Sequence, residues 1–232
     1  MTPRWRSPAG ALTLVAILLG SGASGFLFHR AMKPPPATVA AQIGTTPAAE
    51  AARPAAAPTR ATPEALPDFS LPDTLGKPHR LADWKGRSLV INFWATWCEP
   101  CRREIPLLEA LRRENSRNTL EIVGIAIDHL NSVQKYVMDM KIDYPVLVGE
   151  EGGLEAAAAF GMEPVLPFTV FADAKGRIVT LKVGELHRDE AAFILARLSD
   201  VGAGRLSLVA AREQIADQIR RLAVSRTVAG SD

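Results

Sequence analysis

The feature that most constrains the fold is a pair of cysteines placed between a buried strand and a helix. Residues 88–95 form a near-continuous apolar run, SLVINFWA, which is typical of a strand buried on both faces of a sheet. Cys98 and Cys101 follow almost directly, and a helix is predicted from the residues between them to about Asn115. The chain contains no other cysteine. Two close cysteines in an otherwise cysteine-free chain indicate a redox or metal pair and not a structural disulfide framework.

Strands and helices alternate along the chain from about residue 66. A pair of short strands comes first, and a second strand pair follows the last of the buried strands and helices. The predicted strands are Phe69–Leu71, His79–Leu81, Leu120–Ile127, Pro145–Val148, Phe168–Ala172 and Ile178–Val183, and the predicted helices are Ser132–Met140, Leu154–Phe160 and Asp189–Leu198. Pro106 should kink the helix that carries the cysteines. The pattern predicts an α/β fold with a central mixed β-sheet flanked by helices.

The basic character of the chain belongs to its N-terminal part. Residues 1–63 carry six basic side chains and one acidic one, whereas the remainder carries 21 basic and 24 acidic side chains, interspersed along the sequence. The compact part therefore lacks the clustered basic residues that are typical of nucleic-acid binding. The apolar run from Ala9 to Phe28 is about long enough to span a bilayer, which predicts a membrane anchor over residues 1–33. Cleavage between Ser21 and Gly25 is the alternative.

Three further segments follow the predicted anchor. Residues 34–66 consist mostly of Ala, Pro and Thr, which predicts a semi-extended linker. The compact domain is predicted over residues 67–200, followed by a C-terminal helix and tail over residues 201–232. An apolar stripe at helical spacing in that tail should pack on the domain, with docking of another protein as the alternative. The stripe consists of Leu208, Ile215, Ile219 and Leu222.

The position of the cysteines predicts their chemistry. Cys98 lies where the dipole and the unpaired N–H groups of a helix N-terminus stabilise a thiolate, which predicts that it is the nucleophile. Cys101, one turn later, can resolve a mixed disulfide by attacking the sulfur of Cys98. Trp97 would form a flat apolar surface beside the thiol. Glu99 should oppose the thiolate by charge repulsion, which favours a reducing couple.

The remaining residues give little support for a metal site. Zinc needs four ligands, and neither a second cysteine pair nor a histidine cluster accompanies the first pair. We therefore expect no metal and no cofactor other than the redox-active disulfide Cys98–Cys101. Because soft thiolates suit Cu(I), a copper-binding delivery module stays open as an alternative. A further alternative is reduction of copper-site cysteines during oxidase assembly.

The run from Asn92 to Pro106, NFWATWCEPCRREIP, resembles the TlpA/ResA/CcmG-like family of membrane-anchored, thioredoxin-fold thiol:disulfide oxidoreductases. The resemblance covers about residues 66–200, and Glu99 and Pro100 between the cysteines match the ResA-type members. It implies a thioredoxin-like fold, a central mixed β-sheet flanked by helices, and we expect in addition an N-terminal β-hairpin, a central β/α insertion and, from the apolar stripe described above, an extra C-terminal helix.

The resemblance also implies roles for residues outside the cysteine pair. Leu166 and Pro167 match the family's cis-proline loop, which lies opposite the cysteines and binds substrate backbone. Asn92 stands where thioredoxins bury an aspartate that assists proton transfer. Glu104 matches a partly buried acid of the family, and we expect it to raise thiol pKa values and to handle the proton of Cys101 during exchange.

The function implied by the resemblance is reduction of protein disulfides on the outer side of the inner membrane, in the periplasm or extracytoplasmic space. The expected partners are apocytochrome c or a copper-assembly protein as substrate and a membrane transporter of the CcdA/DsbD kind as reductant. Thiol peroxidase activity is a weaker alternative, since residues 69–93 also resemble the opening segment of peroxiredoxins. Those enzymes place threonine three residues before the peroxidatic cysteine, and Ala95 stands there in this chain.

Overall fold

The computed structural model describes residues 62–115, 120–163 and 165–229. The predicted anchor and most of the predicted linker lie outside these residues. Among the helices of the described part, none combines the length and the apolar character needed to cross a membrane.

The described residues contain seven strands, which form two sheets. They are β1 (Ser70–Pro72), β2 (Pro78–Arg80), β3 (Ser88–Trp94), β4 (Leu120–Ala126), β5 (Val146–Val148), β6 (Phe168–Ala172) and β7 (Ile178–Val183). β1 and β2 form an antiparallel hairpin, and the other five form one sheet in the order β5-β4-β3-β6-β7. β3 pairs parallel with β4 and antiparallel with β6, so the sheet is mixed, as the sequence predicts.

Five α-helices and one short 3₁₀ helix, Leu81–Trp84, complete the described fold. The α-helices are α1 (Glu99–Asn115), α2 (Leu130–Met140), α3 (Glu151–Ala159), α4 (Arg188–Gly202) and α5 (Leu208–Ala229). α1 is one continuous helix that includes Pro106. The predicted kink at Pro106 stays a prediction. The described elements include the predicted N-terminal hairpin, the β/α segment between β4 and β6, and the extra C-terminal helix.

The hydrophobic core has two layers, one on each face of the five-stranded sheet. Alternate residues of β3 contribute to opposite layers, because successive side chains of a strand point to opposite faces. Val90 and Trp94 lie in the layer that contains buried residues of α1, α4 and α5. Ile91 and Phe93 lie in the layer beneath α3 and the β1–β2 hairpin. A strand covered on both faces is largely apolar, which explains the near-continuous run at this point in the sequence, interrupted by the buried Asn92.

The apolar stripe of the C-terminal helix packs on the domain. Ile215 of α5 is fully buried in the first core layer, Leu208 and Ile219 pack against that layer, and Leu222 is half-buried. Arg212 adds a polar contact by donating to the carbonyl oxygen of Ile178 at 2.6 Å. The prediction that this stripe packs on the domain is therefore confirmed.

Candidate active site

Cys98 occupies the position immediately before α1, where N-cap residues lie. The backbone N–H of Cys101 donates to Cys98 Sγ at 3.3 Å, the bond that a serine or aspartate side chain accepts at an N-cap. The two sulfurs are joined in a disulfide, with 5.3 Å between the Cα atoms. Pro100, in the first turn, has no N–H group to donate. A thiolate on Cys98 would therefore lie at the positive end of the helix and accept a backbone hydrogen bond.

Exposure distinguishes the two sulfurs. Cys98 is 6% exposed, whereas Cys101 is fully buried. Trp97 beside Cys98 is 70% exposed and forms the apolar surface that the sequence predicts. Cys98 keeps a small exposed area and Cys101 keeps none, a difference that favours Cys98 as the attacking residue.

The loop between β3 and α1 is held by an aspartate that follows the neighbouring strand, β4. Asp128 Oδ2 accepts hydrogen bonds from the backbone N–H of Thr96 at 2.9 Å and from its hydroxyl at 2.6 Å. Because β3 and β4 are parallel, their carboxyl ends meet at the same edge of the sheet. Our sequence reasoning missed Asp128. Its signal was an acid directly after a predicted buried strand.

Glu104 is the buried acid of the site. It is 1% exposed and follows Cys101 by three residues, so the two side chains share the buried face of α1. Asn92 Nδ2 donates to Oε1 at 2.6 Å, and the backbone N–H of Leu186 donates to Oε2 at 2.8 Å. Burial raises the pKa of Glu104 to about 7, although the hydrogen bonds from Leu186 and Asn92 oppose that shift. Such a carboxyl group can gain or lose a proton near neutral pH.

The Leu166–Pro167 peptide bond is cis, as the resemblance implies. Pro167 is buried and Leu166 is half-buried. Pro167 directly precedes β6, and Phe168 at the start of β6 pairs with Phe93 near the end of β3. This register places the cis-proline loop beside the end of the strand that leads to the cysteines.

An exposed arginine at the edge of the site forms ion pairs with two acids. Arg103 Nη1 lies 3.0 Å from a carboxylate oxygen of Glu99, and Arg103 Nη2 lies 2.6 Å from one of Glu185. Arg103 therefore offsets part of the repulsion that we expect between Glu99 and a thiolate on Cys98. Neither Arg103 nor Glu185 was identified from the sequence.

In the described part of the chain, no group of three or more His, Cys, Asp or Glu side chains has the arrangement of a metal site. Two of the histidines pair with carboxylates. His79 lies between Asp73 and Asp83, with 3.2 Å to each, and His129 lies 2.6 Å from Glu150.

Comparisons with known proteins agree with this geometry. The AhpC/TSA family matches residues 63–181, half of the chain. Thiol-disulfide oxidoreductase ResA of Geobacillus thermodenitrificans is 30% identical over 125 residues, which are 53% of this chain and 70% of the relative.

Two solved structures are also similar. A thioredoxin-family thiol:disulfide interchange protein of Chlorobium tepidum is 32% identical with a TM-score of 0.50, over 56% of this chain and 91% of that one. A secreted thiol-disulfide isomerase of Corynebacterium glutamicum is 25% identical with a TM-score of 0.53, over 58% and 85%.

The fold is therefore thioredoxin-like, and the chain is a thiol-disulfide oxidoreductase of the ResA type. The disulfide lies at the N-terminus of α1, and the buried Glu104 follows one turn later. The cis-proline loop lies beside the end of β3, the strand before α1. The chain belongs to the AhpC/TSA family and, within it, to the TlpA/ResA/CcmG-like thiol-disulfide oxidoreductases.

Proposed function

We propose that this protein reduces disulfide bonds in extracytoplasmic proteins, in cytochrome c maturation or a related assembly pathway, while residues 1–33 anchor it in the inner membrane. The Corynebacterium relative is described as secreted, and stable protein disulfides are found mainly outside the cytosol. The substrate class is therefore polypeptides whose cysteines have been oxidised in that compartment.

The observation that carries this proposal is the burial of Glu104 on the helix face of Cys101. An acid whose pKa is about 7 can accept the proton of a neighbouring thiol at neutral pH and return it later. Cys101 is fully buried, and such a thiol needs a base before it can attack. Glu104 supplies that base.

The reaction then has two exchange steps. The thiolate of Cys98 attacks one sulfur of the client disulfide, forms a mixed disulfide and releases the other client sulfur as a thiolate. Cys101 then transfers its proton to Glu104 and attacks the sulfur of Cys98. The second client sulfur leaves as a thiolate, and the Cys98–Cys101 disulfide remains. The client is reduced by two electrons and this protein is oxidised by two.

The surface around Cys98 contacts the client. Trp97 offers an exposed apolar ring, and Pro100 lies next to it in the first turn of α1. The Leu166–Pro167 loop binds the backbone of the client. Re-reduction comes from a membrane thiol transporter of the CcdA/DsbD kind, which passes electrons to the disulfide by the same exchange chemistry.

The reduction potential tests the direction of the reaction. The purified chain is equilibrated in glutathione buffers, and the fraction of reduced Cys98 and Cys101 is measured by thiol alkylation and mass spectrometry. We expect a potential near that of thioredoxin, about −270 mV. A potential near that of DsbA, about −120 mV, would contradict the reductase proposal.

Trapping identifies the client. The Cys101→Ser variant should accumulate mixed disulfides in its native host, because nothing resolves the bond at Cys98. The matched Cys98→Ser variant should accumulate none. Sequencing the trapped proteins distinguishes apocytochrome c from a copper-assembly protein, and equal trapping by both variants would contradict the order of attack.

A further inference from the structure

A lysine next to the site makes contacts that the mechanism above does not use. Lys182 lies at the end of β7, and its side chain is 12% exposed. Its ammonium group donates to the carbonyl oxygen of Val183 at 2.9 Å and to that of Glu185 at 3.2 Å. A lysine so little exposed needs such partners, because burial of an unpaired charge is costly.

The residues that Lys182 binds belong to a turn, residues 183–186, that contacts two parts of the active site. The backbone N–H of Gly184 donates to the carbonyl oxygen of Pro167 at 2.8 Å. The backbone N–H of Leu186 donates to Glu104 Oε2, also at 2.8 Å. Gly184 has a φ of 82°, a conformation that favours glycine. One short turn therefore holds both the cis-proline loop and the buried acid.

A second buried acid stabilises the position of Lys182. Glu190 Oε2 lies 3.7 Å from Lys182 Nζ and accepts the backbone N–H of His187 at 3.1 Å, at the start of α4. Its other oxygen accepts a hydrogen bond from Arg226 of α5 at 2.8 Å. Because Arg226 already pairs with Glu190, Lys182 can keep its hydrogen bonds to the turn.

The charges that face Glu104 come from several elements. Lys182 favours the ionised carboxylate, and the negative charge of Glu185 disfavours it. Asn92 on β3 contributes a neutral donor. Tyr144, before β5, is buried, and burial raises its pKa so that it stays neutral. The sulfurs of Cys98, directly before α1, and of Cys101, in its first turn, carry no charge in the disulfide form.

We propose that Lys182 is a positioning residue for the redox reaction. Its ammonium group closes the turn that hydrogen-bonds Glu104 and Pro167, and its positive charge favours the proton-accepting form of Glu104. This inference rests on the proposed role of Glu104 as the base for Cys101.

The test is the titration of Glu104 in the oxidised chain, followed by carboxyl ¹³C NMR. The signal is assigned by its absence in the Glu104→Gln variant. The wild-type midpoint is expected at about 7. In Lys182→Met the midpoint should rise by roughly 0.5 to 1 pH unit, because the nearby positive charge is lost. Lys182→Arg keeps the charge and should restore the wild-type midpoint to within a few tenths of a unit.

A matched control and a second variant complete the test. Lys135→Met removes an exposed lysine of α2 that pairs with Asp139, and it should leave the midpoint unchanged. If Lys182→Met does not fold, Lys182→Gln replaces it. This variant keeps a donor for the carbonyl oxygens of the turn but removes the charge, so the midpoint should again rise. An unchanged midpoint in Lys182→Met, or in Lys182→Gln where it replaces that variant, would overturn the proposal.

These outcomes are independent of the proposed reductase function, because no thiol titrates in the oxidised chain. A protein that fails to reduce any disulfide can still show the Lys182 effect, and an active reductase can lack it. A purely structural role for Lys182 would change the free energy of unfolding without moving the midpoint of Glu104.

Discussion

At Glu104 a carboxyl group is almost completely removed from water, and its neighbours determine whether it can hold a charge. Asn92 donates to it, whereas an aspartate at that position would repel its ionised form. Asn92 also donates to Thr169 Oγ1 at 3.0 Å, which fixes the amide between two strands and the helix. The exchange of aspartate for asparagine therefore leaves one titrating acid beneath the disulfide instead of two coupled ones.

The raised pKa of Glu104 makes folding stability depend on pH. Unfolded Glu104 ionises near 4.5 and the native residue near 7, so the native state binds the extra proton between those values. The free energy of unfolding should therefore fall by about 3 kcal/mol as the pH rises from 4.5 to 7. Glu104→Gln should remove this dependence. Urea unfolding of both oxidised proteins at pH 5 and pH 8 measures it.

The amide group of the Glu104→Gln variant can form hydrogen bonds at this buried position. Asn92 Oδ1 has no hydrogen-bond partner among the described residues, and rotation of the Asn92 amide would present this oxygen to the new NH₂ group. A variant that kept the pH dependence of the wild type would show that Glu104 is not its source.

Removal of Arg103 and removal of the charge of Glu99 should shift the reduction potential of the disulfide in opposite directions. Arg103→Ala leaves Glu99 without its cation, which destabilises a thiolate on Cys98 and should make the potential more negative. Glu99→Gln removes the negative charge and should make it less negative. Because the pair is exposed, we expect shifts of only about 5 to 20 mV. Glutathione equilibration measures both, and shifts of the same sign would contradict this assignment.

At the scale of elements, the cysteine loop depends on a contact between the ends of two parallel strands. Asp128 is buried, and besides Thr96 it accepts the backbone N–H of His129 at 2.7 Å. Asp128→Ala should lower the free energy of unfolding by about 1 to 3 kcal/mol, because two N–H groups and a hydroxyl lose their acceptor. Asp128→Asn keeps one acceptor oxygen and should be milder. Urea unfolding compares them, and equal losses would contradict the role assigned to the carboxylate.

The C-terminal helix should contribute to stability through its buried face. Ile215→Ala should cost about 2 to 5 kcal/mol, because Ile215 is fully buried in the first core layer. Val224→Ala on the same helix is the control and should change stability by less than about 0.5 kcal/mol, since Val224 is 65% exposed. Chemical unfolding of both variants decides this, and a small effect of Ile215→Ala would mean that α5 packs loosely.

The sequence predicts the bounds of two strands well, one buried throughout and one buried only at its start. The bounds of β6 and β7 match the prediction, because apolar runs end where the chain leaves the core. The start of α3 was predicted three residues late, since glycine is a poor helix former. Tertiary packing explains why glycines occur in this helix. A Cβ on Gly152 would lie 2.9 Å from Leu71 Cδ2, and one on Gly153 would lie 3.1 Å from Ile127 Cγ1. Such close approaches between distant segments leave no local pattern.

For the whole molecule, the site is assembled at one edge of the sheet from β3, β6 and the turn after β7. The cysteines, Glu104 and Pro167 could be identified from the sequence, because a motif or a family resemblance marks them. Leu186 could not, since it acts through its backbone, and Lys182 could not, since its partners are carbonyl oxygens. Such contacts depend on how the chain is folded and not on the type of side chain nearby.

Both outer strands of the five-stranded sheet are met by other parts of the chain. Asp73 of the N-terminal hairpin bridges to Leu147 of β5, and at the other side Ala65 bridges to Arg177 while Arg212 binds the carbonyl of Ile178. Exposed sheet edges recruit extended polypeptides and seed aggregation. A thiol-disulfide oxidoreductase necessarily contacts other polypeptides. The contacts at both outer strands leave less free edge for such a polypeptide, so it is less able to add a strand to the sheet while its disulfide is exchanged.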